Sequence, residues 1–246
     1  MKRSFYDLPA IYDAIHLPDT PEEARAALTV IERHRGGAKR LLEPACGTGR
    51  FLEYFAELGC EVYGYDSNPK ALAFAKKRLK RLPSARVARG DMRTHRAPLS
   101  ESAISLIGSF RHLLTDRDAL AHLRVTAASL EPKGVYVIGM DLVDYDDCLP
   151  DEEGWEVEQG ARRLRHLYLT IPPERRKRLE RLINFVTVDE RTVQDDYDLR
   201  SYDVSQWRGL IERSPFRLAG VYDALGKRVR LTRATRYALF ALVRER

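Results

Sequence analysis

The sequence predicts an α/β fold: a doubly wound sheet of seven strands that carries an antiparallel, β-rich insertion. Up to about residue 140, short apolar segments alternate with segments of helical periodicity, which is typical of a parallel sheet with helices on its faces. A glycine-rich turn joins one early strand to its helix. After about residue 150 the pattern changes to β-branched and aromatic residues in partial alternation, which indicates antiparallel strands.

Residues 41–66, LLEPACGTGRFLEYFAELGCEVYGYD, predict a strand, a tight turn, a helix and a second strand. Ala45, Gly47 and Gly49 alternate in the turn, where small residues allow a backbone to approach a ligand closely. Asp66 stands at the C-terminal end of the second strand. In open α/β sheets, ligands bind at that edge.

The other elements follow from start signals and apolar stripes. A short segment, Ser4–His16, is predicted to lie over the sheet edge as a helix, and Thr20 before Pro21 predicts an N-cap. Further helices are predicted from Ser67-Asn68-Pro69 onward and at Asp116–Leu130 and Val204–Arg213. Strands of the large sheet are predicted at Arg86–Arg89, Ala103–Gly108, Val135–Met140, Phe216–Tyr222 and Arg236–Val243.

The insertion is predicted to contain three strands, at Leu164–Ile171, Leu182–Val188 and Thr192–Leu199. The predicted organisation is therefore one domain built from residues 1–148 and 201–246, with residues 149–200 as a β-rich cap. An exposed strand of this cap could pair with another copy of the chain, so a homodimer is one expectation.

Composition narrows the class of protein. Of the 246 residues, 44% are hydrophobic and 32% are charged, which is typical of a soluble globular protein. No apolar run approaches the roughly 18 residues of a membrane span. The N-terminus, MKRSFYDLPAIYD, lacks the apolar region of a secretory signal, and the three cysteines have neither metal spacing nor a disulfide framework. We therefore expect a cytoplasmic protein with no membrane partner.

The net charge of +6 raises the alternative of a nucleic-acid partner. Two clusters of basic residues stand out, at positions 70–89 and 227–236. No aromatic residues that could stack on bases interleave with the first cluster. Solvated surfaces explain both clusters more simply, so a nucleic acid is the less favoured partner.

The sequence of the turn disfavours dinucleotides as the cofactor class and favours another class. A dinucleotide fold requires G-x-G-x-x-G, and Leu52 occupies the third glycine position. The stretch Glu43–Gly49 instead resembles motif I, (D/E)-x-G-x-G-x-G, of the class I S-adenosylmethionine (SAM) dependent methyltransferases, with Ala45 in place of the first glycine. The resemblance covers about Lys39–Met140 and resumes at Arg200–Gly226. It implies a seven-stranded, Rossmann-like methyltransferase sheet.

The resemblance implies SAM as the cofactor, with S-adenosylhomocysteine (SAH) as the product. The turn would hold the methionine end, an acid after the second strand the ribose, and Gly-Asp-Met after the third strand the adenine. The cofactor-binding residues that it implies are Glu43, Ala45, Cys46, Gly47, Gly49, Asp66, Ser67, Asp91, Met92 and Ser109.

Two residues match, approximately, the positions of catalytic-site residues in nucleotide-sugar N-methyltransferases. His112, after the fourth strand, has the pKa range of a general base, and Tyr12 is expected to approach the same site. Asp141, after the fifth strand, is a further candidate. A metal site formed by Asp141 with Asp144 and its neighbours is disfavoured, because a solvated acidic loop explains these residues, and no metal is predicted.

The function predicted from the sequence is transfer of a methyl group from SAM to a small-molecule acceptor, with nitrogen slightly favoured over oxygen. The insertion resembles the cap of glycine N-methyltransferases and nucleotide-sugar N,N-dimethyltransferases. Residues 107–110, IGSF, lack the (D/N/S)-P-P-(Y/F) motif of enzymes that methylate base amino groups. An RNA methyltransferase, a non-catalytic SAM-binding protein and a dinucleotide oxidoreductase stay as alternatives.

Overall fold

The computed structural model describes residues 4–159 and 162–245 of the chain. The helices are α1 (Pro9–His16), α2 (Thr20–Arg35), α3 (Arg50–Glu57), α4 (Pro69–Arg78), α5 (Asp116–Ala128) and α6 (Val204–Glu212). The strands are β1 (Arg40–Pro44), β2 (Glu61–Asp66), β3 (Ala85–Arg89), β4 (Ser100–Ser105), β5 (Leu130–Asp141), β6 (Asp151–Gln159), β7 (Arg162–Ile171), β8 (Leu179–Val188), β9 (Arg191–Arg200), β10 (Phe216–Tyr222) and β11 (Tyr237–Arg244). Short 3-10 turns include Phe5–Asp7, Leu17–Asp19 and Ser109–His112.

The large sheet has seven strands in the order β10-β11-β5-β4-β1-β2-β3. Strands β1 to β5 pair in parallel, and β11 lies antiparallel between β5 and β10. Apolar cores with fully buried aromatic side chains such as Phe55 and Trp207 pack on the sheet. The predicted doubly wound, seven-stranded fold is confirmed. The strand order reverses between β1 and β4, and ligands of such sheets bind in the crevice at that point.

The fourth and fifth strands differ from the prediction in their bounds. Strand β4 begins three residues earlier, at Ser100, and ends before Ile107 and Gly108, which both have positive φ. Strand β5 begins at Leu130, before the predicted start at Val135. Lys133, at φ 63°, makes a local irregularity in this strand, and pairing with β4 resumes after it. The sequence hides the start of β4 because its first residues are polar, and it hides the start of β5 because the strand is interrupted near Lys133.

The small sheet contains four strands, in the order β6-β7-β8-β9, rather than the predicted three. Strand β6, which the prediction missed, has the sequence DEEGWEVEQ. Glycine and acidic residues have low strand propensity, but β6 is antiparallel to β7 along its whole length. The division of the chain into a main domain and a cap stays a prediction, and its outer ends, at residues 1–3 and 246, lie outside the described residues. Dimerisation through an exposed strand also stays a prediction.

The N-terminal segment, which runs from Ser4 to His16, lies between the two sheets. It is a 3-10 turn followed by α1 rather than one helix, and α1 contacts both α4 and the small sheet. The predicted N-cap role of Thr20 is wrong, because a 3-10 turn leads directly into α2. Its hydroxyl instead accepts a hydrogen bond of 2.7 Å from Arg50. None of the helices in the described ranges has the length and apolar character needed to cross a bilayer.

A substitution at Gly64 of β2 tests how closely the side chains pack next to the glycine-rich turn. A Cβ atom at this position would lie 2.5 Å from Leu52 Cδ1 and 2.8 Å from the Cys46 side chain. We expect Gly64→Ala to lower the free energy of unfolding by about 1–3 kcal/mol, the usual cost of overpacking a core. Urea denaturation gives the comparison.

Gly209→Ala is the matched control, because a Cβ atom there meets nothing within 4 Å and the residue lies inside α6. Helix propensity predicts an unchanged or increased stability, by up to about 1 kcal/mol. Equal denaturation midpoints for the two variants would contradict the packing argument.

Candidate active site

The turn after β1 is tied to the end of β2 through Asp66. One carboxylate oxygen of Asp66 accepts a hydrogen bond of 2.8 Å from the Gly47 N–H, and the other accepts one of 2.8 Å from the Asn68 N–H. Ala45, Gly47 and Gly49 all have positive φ, which explains the small residues there. The side chain of Asn68 caps α4. Asp66 thus joins the turn to the start of the next helix.

A cavity of about 630 Å³ opens against this turn, and we call it the turn cavity. Many of the predicted cofactor residues line it, together with both predicted catalytic residues. The predicted residues in its wall are Ala45, Gly47, Asp66, Ser67, Asp91, Met92, Ser109, His112 and Tyr12. The structure therefore brings together, at one sheet edge, residues that the sequence separates by up to 100 positions.

Three predicted cofactor residues lie outside the lining of the turn cavity. Cys46 is buried, and Gly49 packs its backbone toward Ala75, where a Cβ atom would lie 3.2 Å from the alanine Cβ. Glu43 is also buried, and its Oε2 has no hydrogen-bond partner among the described residues. Burial raises the pKa of Glu43 well above its usual value, against the opposing effect of Arg50. Glu43, Cys46 and Gly49 therefore pack on the side of the turn away from the cavity.

The Asp91–Met92 turn has two supports. Asp91 accepts hydrogen bonds from the Arg93 backbone and side chain, and this pairing lowers the pKa of Asp91 to about 2. The buried His122 of α5 lies 2.9 Å from the Met92 carbonyl oxygen through Nδ1 and 2.8 Å from the Tyr136 hydroxyl through Nε2. The sequence analysis missed His122, because a histidine in a helix has no local signal for this contact.

A second cavity, of about 670 Å³, lies under the small sheet, and we call it the cap cavity. Asp141 lies in its wall, as does Arg111, which contacts Glu180 and lies 3.8 Å from Asp141. Burial raises the pKa of Asp141, although the Arg111 charge opposes this shift. In the described residues, no group of three or more histidine, cysteine or acidic side chains has the arrangement of a metal site.

One wall separates the two cavities, and five residues belong to both linings. They are Tyr6, Tyr12, Ile107, His112 and Tyr197. The Tyr6 hydroxyl lies 3.0 Å from His112 Nε2 and donates to the Tyr197 hydroxyl at 3.1 Å. The sequence analysis missed Tyr6 and Tyr197, since each lies more than 80 positions from His112 and only the fold brings them together.

The wall residues are uncharged near neutral pH. The side chain of His112 is exposed to the cavities, while loss of solvent to the protein packed around it and the neighbouring charge of Arg111 lower the pKa of His112 to about 4. Burial likewise raises the pKa of Tyr12 to about 12. With Tyr6 donating to Tyr197, the His112 tautomer that is protonated at Nε2 completes this hydrogen-bond chain and leaves the free lone pair on Nδ1.

Comparison with known proteins agrees with this geometry. Residues 41–134 match the family model described as a methyltransferase domain. The dTDP-3-amino-3,4,6-trideoxy-alpha-D-glucopyranose N,N-dimethyltransferase of Streptomyces venezuelae is 33% identical over 132 residues, which are 52% of this chain and 54% of the relative. A dTDP-3-amino-3,6-dideoxy-alpha-D-glucopyranose N,N-dimethyltransferase of Streptomyces fradiae is 32% identical over 136 residues, 54% and 52% of the two chains. The chain spans about half the length of these curated relatives.

Solved structures are similar over nearly the whole chain. SAM-bound CalS10, an amino pentose methyltransferase from Micromonospora echinaspora, aligns with a TM-score of 0.75 at 23% identity and covers 99% of both chains. DesVI of Streptomyces venezuelae aligns with a TM-score of 0.77 at 21% identity, over 95% of this chain and 97% of that one.

The fold is therefore that of the class I SAM-dependent methyltransferases, and the resemblance inferred from motif I is confirmed. Within the chain, residues 41–134 are the part that matches the family model of a methyltransferase domain.

The lowered pKa of His112 predicts a pH-dependent stability difference. An unfolded histidine titrates near about 6.5, so between that pH and about 4 the unfolded chain binds a proton that folded His112 does not. The contribution of His112 to stability is consequently lost as the pH falls. We expect the stability advantage of the wild type over His112→Gln to decrease from pH 6.5 to pH 4, as measured by urea unfolding at each pH. A difference that does not change with pH would show that His112 titrates normally.

Proposed function

We propose that the chain is a SAM-dependent N-methyltransferase that methylates an amine of a small molecule, of the amino-sugar class. The observation that carries the proposal is the shared wall. A cavity against the motif I turn and a second cavity under the cap meet at Tyr6, Tyr12, Ile107, His112 and Tyr197. A methyl donor in the first cavity and an acceptor in the second would therefore meet at this wall.

The residues of the turn cavity fit SAM. A Cβ atom at Gly47 would meet nothing within 4 Å, so the bare backbone of the turn borders open space. Each Asp66 oxygen accepts one backbone N–H, and a carboxylate has further lone pairs that could accept two ribose hydroxyls. Ser67, Asp91 and Met92 line the same space and could hold the nucleoside end. The assignment of individual residues to individual atoms of SAM is part of this proposal.

When bound, SAM supplies an electrophilic methyl group, whose bond to sulfur breaks as the bond to the acceptor nitrogen forms. The protein has to position the nitrogen and exclude water. The free lone pair on His112 Nδ1 could accept a hydrogen bond from the attacking amine. Its pKa of about 4 makes His112 neutral at pH 7 but weakly basic, so we assign it the orientation of the amine more than removal of its proton.

The relatives support nitrogen as the acceptor atom. By their names, the curated relatives are N,N-dimethyltransferases of amino sugars. This favours a small molecule over the RNA alternative and an amine over a hydroxyl. The glycine-rich turn is followed by Leu52 at the position where a dinucleotide site requires its third glycine, which favours SAM over a dinucleotide.

The first test is a calorimetric titration of the purified protein with SAH, with NAD as the matched control. We expect micromolar binding of SAH and none of NAD, because the turn lacks the third glycine of a dinucleotide site. Binding of NAD alone, or of neither ligand by folded protein, would overturn the proposed cofactor.

Asp66→Asn tests the ribose assignment while keeping the size of the side chain. Asparagine offers one acceptor oxygen, so one of the backbone N–H groups of Gly47 and Asn68 loses its acceptor, together with lone pairs that the ribose would use. We expect SAH affinity to fall about tenfold, equivalent to one hydrogen bond to a charged group. Glu61→Gln, at the opposite and exposed end of β2, should leave the affinity unchanged. Equal affinity in both variants would remove Asp66 from the ribose site.

His112→Ala tests the role of the wall. We expect kcat to fall by about 10²-fold, within the range of an acid–base or orienting group, with SAH affinity nearly unchanged. Tyr6→Phe keeps the ring but removes the hydroxyl next to His112, and it should give a smaller loss. Full turnover by His112→Ala in a saturating assay would exclude a role in the reaction.

A further inference from the structure

The cap cavity is acidic, although the chain as a whole is basic. Six carboxylates line it: Asp141, Asp144, Asp147, Asp151, Glu153 and Glu180. The arginines and lysines in the described lining are Arg111 and Arg236 alone. The net charge of the chain is +6, so this local excess of acid runs against the overall composition.

Both arginines already have carboxylate partners. Arg111 is buried, contacts Glu180, and donates from Nε to the Arg200 carbonyl oxygen at 3.0 Å. Arg236 lies 3.2 Å from an Asp147 carboxylate oxygen. A phosphate group normally binds to unpaired arginine forks, lysines or helix N-termini. Asp144 is also paired, with Arg233 outside the lining, so Asp151 and Glu153 are the lining carboxylates without an arginine partner among the described residues. To bind here, a pyrophosphate would have to break the ion pairs and face these two carboxylates.

Two buried acceptors of the cap cavity lining, on His166 and Ser201, and one buried donor, Asn184 Nδ2, have no hydrogen-bond partner among the described residues. His166 is 3% exposed and lies 3.0 Å from Asn184 Oδ1 through Nε2, which therefore carries the proton. Its Nδ1 is buried without a partner among the described residues, and it is the lone-pair nitrogen of the ring. The Ser201 hydroxyl, on a 1% exposed side chain, also lacks a partner there. A ligand rich in N–H and O–H groups would satisfy these atoms, whereas a phosphate offers mainly acceptors.

Aromatic rings complete the lining. Phe5, Tyr12 and Tyr168 border the cavity, and ring faces attract cations. The Tyr168 hydroxyl donates a hydrogen bond of 2.7 Å to the Glu153 carboxylate, and both residues line the cap cavity. The volume of about 670 Å³ is in the range of pockets that hold a drug-sized ligand, enough for an amino sugar with a substituent.

We propose that the acceptor bound by the cap cavity is a cationic amino sugar, free or as a glycoside, that carries no phosphate or nucleotide. Its ammonium group passes one proton to a lining carboxylate or to water, and the nitrogen lone pair that this frees then attacks the methyl group of SAM. The carboxylate excess, the paired arginines and the buried acceptor on His166 all point to a polyhydroxylated ammonium ion. This inference rests on the proposed methyltransferase function. It also separates the chain from its curated relatives, whose names specify dTDP-linked sugars.

Calorimetry on the SAH-loaded protein distinguishes the possibilities. One titrant is methyl 3-amino-3,6-dideoxy-α-D-glucopyranoside, and the other is dTDP. Binding of the glycoside alone is the expected result. Binding of dTDP, with or without the glycoside, would overturn the inference, because the cavity would then recognise a nucleotide diphosphate. Binding of neither would overturn it as well, while SAH binding keeps the proposed function intact. Failure to load SAH would instead count against the proposed function.

Two variants on β6 show whether charge is the cause. We expect Glu153→Gln to weaken glycoside binding about fivefold, equivalent to about 1 kcal/mol, with unchanged SAH affinity. Glu156→Gln is the matched control, because Glu156 pairs with Arg165 and lies outside the described lining of the cavity. Equal glycoside affinity in the two variants would contradict an electrostatic origin of the selectivity.

Discussion

Two arginines, the buried Arg50 and the largely buried Arg78, hold the N-terminal segment against the helices of the seven-stranded sheet, and this segment contributes to both candidate cavities. Arg78 of α4 donates to both carboxylate oxygens of Asp13, at 2.6 and 2.5 Å, and to the Thr48 carbonyl oxygen at 3.2 Å. Arg50 donates to the His16 carbonyl oxygen and to Glu23. Breaking a buried ion pair by removing one partner typically costs about 3–5 kcal/mol. These contacts therefore tie the segment that carries Tyr6 and Tyr12 to α3 and α4.

Much of the fold and one half of the site could be predicted from the sequence. Strand and helix periodicity, the small residues of the turn and an acid at the next strand end are all local signals, and Asp66 lies where they predicted. The wall could not be predicted in the same way. Tyr6, His112 and Tyr197 come from the N-terminal segment, a 3-10 turn and the small sheet, and only tertiary packing brings them together. Strand β6 was missed because its acidic sequence opposes strand propensity, while pairing with β7 overrides that preference.

The two cavities have different chemistry although they share a wall. The turn cavity offers a bare backbone and a few acceptors, which suits a ligand fixed by shape and hydrogen bonds. The cap cavity offers a surplus of carboxylates with rings between them, which suits selection by charge. A common fold with a variable cap can in this way keep one cofactor and change what the acceptor carries besides its amine.

The shared wall also has a thermodynamic consequence. Since Tyr6, Tyr12 and His112 face both cavities, a ligand that orders these side chains from one side prepares the surface met by the ligand on the other side. The two binding equilibria are then linked, and any factor by which the first ligand raises the affinity for the second must apply equally in reverse. Binding of the methyl donor and binding of the acceptor would then be cooperative, because the side chains of Tyr6, Tyr12 and His112 belong to both sites.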